Sequence, residues 1–93
     1  MMTKERQLVE YEIEVREMAR NGRELLYKES DKLNDEMKEK ICLLNNLYGR
    51  LQFMNLYKNK LGVEKAEANA KYIYLDAKDI SNEIKAYIGK VLK

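Results

Sequence analysis

The sequence lacks several of the side chains on which enzyme chemistry most often depends. Its 93 residues contain no histidine, no proline, no tryptophan and a single cysteine, Cys42. Histidine is the commonest general base, and zinc sites draw on histidine or on several cysteines. A thiol nucleophile also needs a base beside it. We therefore expect no enzyme activity, metal, cofactor or small-molecule substrate, and we expect Cys42 to be a small buried apolar residue.

The lone cysteine and the charged amino end bear on the cellular setting. One cysteine cannot form a disulfide within its chain, which favours a reducing compartment. The first residues run directly into charged side chains, without the apolar segment of a signal peptide. The longest uncharged stretch, 41–49, has nine residues, whereas a membrane span needs roughly 20. We expect a cytoplasmic protein that does not enter a membrane.

The spacing of apolar residues predicts helix along nearly the whole chain. No proline interrupts it, and the four glycines are isolated from one another. Apolar residues recur at alternating steps of three and four, as on one face of a helix. The pattern predicts helices over about 3–29, 31–61 and 63–92. Because the turns between them are short, we expect a single all-α domain, 1–93, folded as an elongated antiparallel bundle of three long helices.

Each predicted helix has one apolar stripe for the core. In the first helix the stripe is Leu8, Tyr11, Val15, Met18, Gly22 and Leu25, and in the second it is Leu33, Met37, Ile41, Leu44, Tyr48 and Leu51. In the third helix it is Val63, Ala66, Ala70, Ile73, Ala77, Ile80, Ile84, Tyr87 and Val91. These residues are the predicted core.

Polar and glycine residues predict where the helices begin and end. Thr3 is the expected N-cap of the first helix, and Ser30 or Asp31 that of the second. Gly62 is expected to end the second helix in a left-handed conformation. Gly22 lies on the apolar stripe of the first helix, so we interpret it as a point of close helix approach, with a kink as the alternative.

The central segment 41–57 is unusual because Arg50 is its only charged residue. Besides the core stripe, a second apolar stripe runs along nearly the opposite side of this helix. Three explanations are open: burial between the other two helices in a flattened arrangement, the seam of a homodimer with Gly49 at the crossing, or a docking surface for a different protein. The candidate interface residues are Cys42, Gly49, Arg50, Phe53, Leu56 and Tyr57.

Charge is divided unevenly along the chain. Residues 1–40 carry nine basic and eleven acidic side chains, and residues 41–93 carry nine and five. An acidic ridge is predicted on the first helix (Glu10, Glu14, Glu17 and Glu24). A lysine ridge, Lys71, Lys78 and Lys85, repeats every seven residues on the third. The ridges are either electrostatic contacts for a partner or solvated outer faces.

Because the side chains that catalytic and metal sites most often use are missing, recognition of another molecule by the protein surface is the function that the composition favours. We expect a small non-enzymatic protein-binding module that regulates or inhibits a partner protein by occlusion. By analogy of size and composition, its narrowest form is a phage or mobile-element inhibitor of a host defence or nuclease complex. The alternatives are a homo-oligomeric structural or adaptor protein and a weakly basic nucleic-acid binder, which the net charge of +2 favours little.

Overall fold

The computed structural model describes residues 3–91, in which three long helices pack against one another. They are α1 (Lys4–Lys28), α2 (Asp35–Leu56) and α4 (Val63–Val91), and the one-turn helix α3 (Lys58–Leu61) lies between the last two. A short 3-10 turn (Ser30–Lys32) joins α1 to α2. The described part measures 44 × 23 × 16 Å. The predicted all-α, elongated three-helix bundle is confirmed.

Contacts between side chains show how the helices run. Asn55, near the end of α2, donates to the Leu8 carbonyl at the start of α1 (3.1 Å), so α1 and α2 are antiparallel. Lys40 of α2 forms an ion pair with Glu83 in the second half of α4. The hydrogen bond to Glu83 raises the pKa of Lys40 above its ordinary value. The α2 and α4 helices are therefore also antiparallel, and α1 and α4 run in the same direction.

The core is formed by one stripe from each long helix. Small residues occupy much of it, which lets the helix backbones approach closely. The buried apolar side chains include Leu8, Val15, Ala19, Ile41, Leu44, Leu51, Ala66, Ala70, Ile73, Ala77 and Ile84. Most of the predicted stripe is confirmed, but its edges shift: Ser81 is buried, whereas Tyr48 and Ile80 are only half-buried and Val91 is exposed.

The predicted start of the second helix is wrong, and the predicted ends of the first helix are nearly right. The Thr3 hydroxyl accepts from the Arg6 amide (3.1 Å), as an N-cap should. The second helix begins only at Asp35, because the Asn34 side chain caps the Met37 amide (2.8 Å). Leu33 is extended and buried, so the chain must turn inward before the helix can start.

The other end of the second helix also differs from the prediction. The helix ends at Leu56, and a turn at Tyr57 separates it from α3. Gly62 then changes the chain direction with a φ of +91°, which side chains rarely adopt. The positive φ agrees with the predicted left-handed conformation, but the ψ of +126° does not, because a left-handed helical residue has a ψ of about +47°. The α4 helix begins at the next residue, as expected. The predicted end of the third helix, Leu92, lies outside the described residues.

Gly22 is a point of close approach between α1 and α2, as predicted, and α1 runs through it without a break. A Cβ atom built on Gly22 would lie 3.1 Å from Cγ2 of Ile41, which is fully buried. A single methyl group would therefore already press on the core. The predicted alternative, a kink at this glycine, is not observed.

We expect Gly22→Val to lower the free energy of unfolding by about 1–3 kcal/mol, because its γ carbons would need space that Ile41 fills. Gly89→Val is the matched control, since its Cβ would have no neighbour within 4 Å. Urea unfolding followed by circular dichroism compares the two. Equal stability of the two variants would contradict the proposed close contact.

Candidate protein-binding site

The second apolar stripe of α2 lies on the surface. The α1 and α4 helices pack on each other as well as on α2, so the three form a triangle and α2 has one face free. The flattened arrangement, with α2 buried between its neighbours, is therefore wrong. The prediction that Cys42 is buried is also wrong, because this residue is exposed. At 100° per residue it lies nearly opposite Leu44, which is in the core.

The free face of α2 carries a regular stripe, which we call the outer strip. Its members follow one another at steps of four and three along α2, and all are exposed: Asp35, Glu39, Cys42, Asn46, Gly49, Phe53 and Leu56. Residues that contact a second helix along its length have this spacing. The strip is acidic at its first turn, small and uncharged in its middle, and apolar at its end.

The large apolar side chains of the outer strip are strongly exposed. Phe53 is 51% exposed and Leu56 is 75% exposed. The Phe53 ring lies against that of Tyr57, with ring centroids 4.6 Å apart and a tilt of 43°. The pair forms one aromatic surface beside Leu56 at the end of α2. Lys58 and Lys60 follow at once in α3, so the strip is acidic at one end and has basic neighbours at the other.

Arg50, the other predicted interface residue, lies on the side of α2 that faces α4. It lines a shallow cavity of about 310 Å³ with Leu43 and Leu47 of α2 and with Asp76, Asp79 and Ile80 of α4. The two aspartates provide negative charge near its guanidinium group. The structure thus places Cys42, Gly49, Phe53 and Leu56 together on one strip, with Tyr57 beside them, and it places Arg50 on the flank.

One end of the lysine ridge of α4 meets the acidic ridge of α1 in a groove. Lys71, Lys78 and Lys85 are all exposed. Lys85 lines a cavity of about 320 Å³ together with Glu14 and Glu17 of α1. Because opposite charges share this groove, each reduces the field of the other. The sequence alone does not predict this meeting, since it shows only that the two ridges lie on different helices.

Two tyrosines of α4 are held by contacts with other parts of the fold. The rings of Tyr11 and Tyr74 stack, with centroids 4.8 Å apart, and the Tyr74 hydroxyl donates to Glu14 of α1 (3.4 Å). Burial, and then the negative charge of Glu67, raise the pKa of Tyr11 above its ordinary value. The Tyr87 hydroxyl donates to the Lys32 carbonyl in the 3-10 turn (2.9 Å). Tyr74 and Tyr87 thus make contacts within the fold.

Residues 3–91 contain neither a metal-binding cluster nor a membrane-spanning helix. Within this range, no three or more acidic or cysteine side chains are grouped so that they could hold a metal ion. None of the helices in this range combines the length and the apolar character that crossing a membrane requires.

Comparison with known proteins gives no relative from which a function could be transferred. No protein-family model matches the chain, and no curated protein and no solved structure is significantly similar to it. The function is therefore inferred from the surface of the molecule.

We expect the triple variant Lys71→Glu, Lys78→Glu, Lys85→Glu to lower the melting temperature by a few degrees. The reversed charges would repel Glu14 and Glu17 across the groove. The decrease in melting temperature should be smaller at high salt, because salt screens exposed charges. The triple Lys→Gln variant, which only removes charge, is the control and should lose less. A melting temperature unchanged at low salt would show that the lysine ridge does not interact with the acidic ridge.

Proposed function

We propose that this chain is a non-enzymatic protein-binding module, and that it acts by covering one helix of a partner chain with the outer strip of α2. The observation that carries the proposal is the exposure of Phe53 and Leu56 on a helix whose opposite face already supplies the core. Large apolar side chains that lie together on a small protein surface commonly mark an interface. The outer strip is continuous from Asp35 to Leu56, so it extends over about 32 Å.

The composition of the outer strip specifies the kind of partner. Steps of three and four fit the side chains of another helix. Cys42 and Gly49 are small, so a partner helix can approach closely in the middle, whereas Phe53 needs a small residue opposite it and Leu56 needs apolar atoms that cover it. Asp35 and Glu39 at one end favour a basic partner segment there, and the lysines of α3 favour an acidic segment at the other end.

A partner helix held in this way has its own apolar face covered, and this is how the module would regulate or inhibit by occlusion. The narrower form, a phage or mobile-element inhibitor of a host defence or nuclease complex, stays a prediction from size and composition. The cytoplasmic setting likewise stays a prediction from the lone cysteine. Lys71, Lys78 and Lys85 remain candidates for a secondary, salt-sensitive contact.

We expect Phe53→Asp to abolish partner binding while the helix content is kept, because the aspartate would place a charge in the interface and leave the core intact. Leu75→Asp is the matched control, since Leu75 is 44% exposed on α4 and lies nearly opposite the buried Ile73 and Ala77, on the outer face of that helix. Circular dichroism measures helix content, and affinity capture compares the proteins bound by wild type and by both variants.

Alkylation of the Cys42 thiol provides the second measurement in this test. Binding along the outer strip should slow alkylation of Cys42, and a purified captured protein must show this protection to count as the partner. The proposal fails if Phe53→Asp unfolds the chain, which would make Phe53 part of the core. It also fails if Phe53→Asp retains the same proteins as wild type.

A further inference from the structure

We propose that the helix which covers the outer strip is the α2 helix of a second copy of this chain, bound antiparallel about a two-fold axis. This inference rests on the proposed function, in which the outer strip is the binding surface. It adds the identity of the partner. The reason is that the outer strip has the side-chain sizes and charges that it favours on a partner helix.

The pairing of residues about the two-fold axis shows this self-complementarity. An axis midway between Asn46 and Gly49 places those two residues opposite each other in the two copies. On either side of the axis, Phe53 then lies opposite Cys42, so the largest side chain of the strip meets one of its smallest. Because the two copies are related by a two-fold axis, each such contact occurs two times in the interface.

Charge at the ends of the strip favours the same arrangement. In the antiparallel pair, Asp35 and Glu39 of one copy meet the end of the strip in the other copy, which Lys58 and Lys60 follow. The opposite charges of the two ends attract each other. Leu56 lies opposite Glu39, whose methylene groups can cover it while its carboxylate reaches toward the lysines. The helix dipoles also oppose each other in this orientation.

A parallel pairing of the same strips would be unfavourable at every one of these points. Each strip residue would meet its own copy, so Asp35 and Glu39 would repel their equivalents at one end. Phe53 would meet Phe53, while the small residues would meet one another and leave space between the helices. The sequence of the strip therefore discriminates between the two orientations.

The size of the strip predicts how strong the association is. A strip about 32 Å long and about 10 Å wide covers roughly 300–400 Å² of each copy. Stable complexes bury about 800 Å² per partner. The dimer should therefore be a weak one that dissociates on dilution, and the mass measured by light scattering should rise with concentration from 11.1 kDa toward twice that value.

Disulfide trapping tests both the partner and the register. Cys42 is the only cysteine, so Phe53→Cys creates a chain with two thiols. They lie about 16 Å apart along one helix, too far for a bond within the chain, since a disulfide requires Cα atoms within about 7 Å. In the antiparallel dimer each introduced cysteine faces Cys42 of the other copy. We expect a mild oxidant to convert Phe53→Cys largely to covalent dimer.

Three controls fix the interpretation. Wild type should not form a covalent dimer, because the two Cys42 residues lie about 16 Å apart along the antiparallel pair. Cys42→Ser combined with Phe53→Cys should not do so either, for the same reason. Leu75→Cys also has two thiols, but one lies on the outer face of α4, so it should form much less dimer. Rapid linking of wild type would indicate parallel pairing and overturn the proposal, and so would equal linking of Leu75→Cys.

The wild-type mass separates failure of this inference from failure of the proposed function. If wild type stays monomeric at all concentrations and Phe53→Cys does not link, the second copy is not the partner. The proposed function then stands if wild type captures a different protein that protects Cys42 from alkylation and Phe53→Asp does not capture it. If Phe53→Asp captures every protein that wild type captures, both proposals are overturned.

Discussion

The close approach of three helices along one narrow stripe each is the constraint on which the rest of this structure depends. The chain is short, so it has few large side chains to bury, and small residues bring the backbones together instead. Gly22 places α1 against Ile41 of α2, and Ala66, Ala70 and Ala77 are fully buried on α4. With this packing, a single face of each long helix is enough to form the core.

The same packing explains why α2 has apolar residues to spare. Its inner face, with Ile41, Leu44 and Leu51, fills the space between α1 and α4. Phe53 and Leu56 add nothing to that core, although exposing them to water is unfavourable. Their presence on an ordered helix is understandable if another surface covers them. The outer strip is thus the feature on which the proposed function rests.

The sequence predicted the parts of the fold that depend on local spacing. Helical periodicity, the Thr3 cap, the close approach at Gly22 and the positive φ of Gly62 all follow from residues near one another in the chain. It did not predict that Asn34, rather than Ser30 or Asp31, caps α2, because all three are good caps and the burial of Leu33 decides between them. It also did not predict the exposure of Cys42, since periodicity separates two stripes without saying which neighbours cover them. The meeting of Lys85 with Glu14 and Glu17 depends on the placement of whole helices.

The most direct test of the central claim is to follow backbone amide NMR signals of the wild-type chain during dilution. The claim is that the outer strip of α2 is a contact surface, separate from the core and covered by a second copy. It predicts that dilution shifts the amides of Cys42, Asn46 and Phe53, whereas that of Leu75, on the outer face of α4, stays fixed. Amides of the outer strip that stay unchanged over the whole concentration range, or shifts confined to α1 and α4, would contradict it.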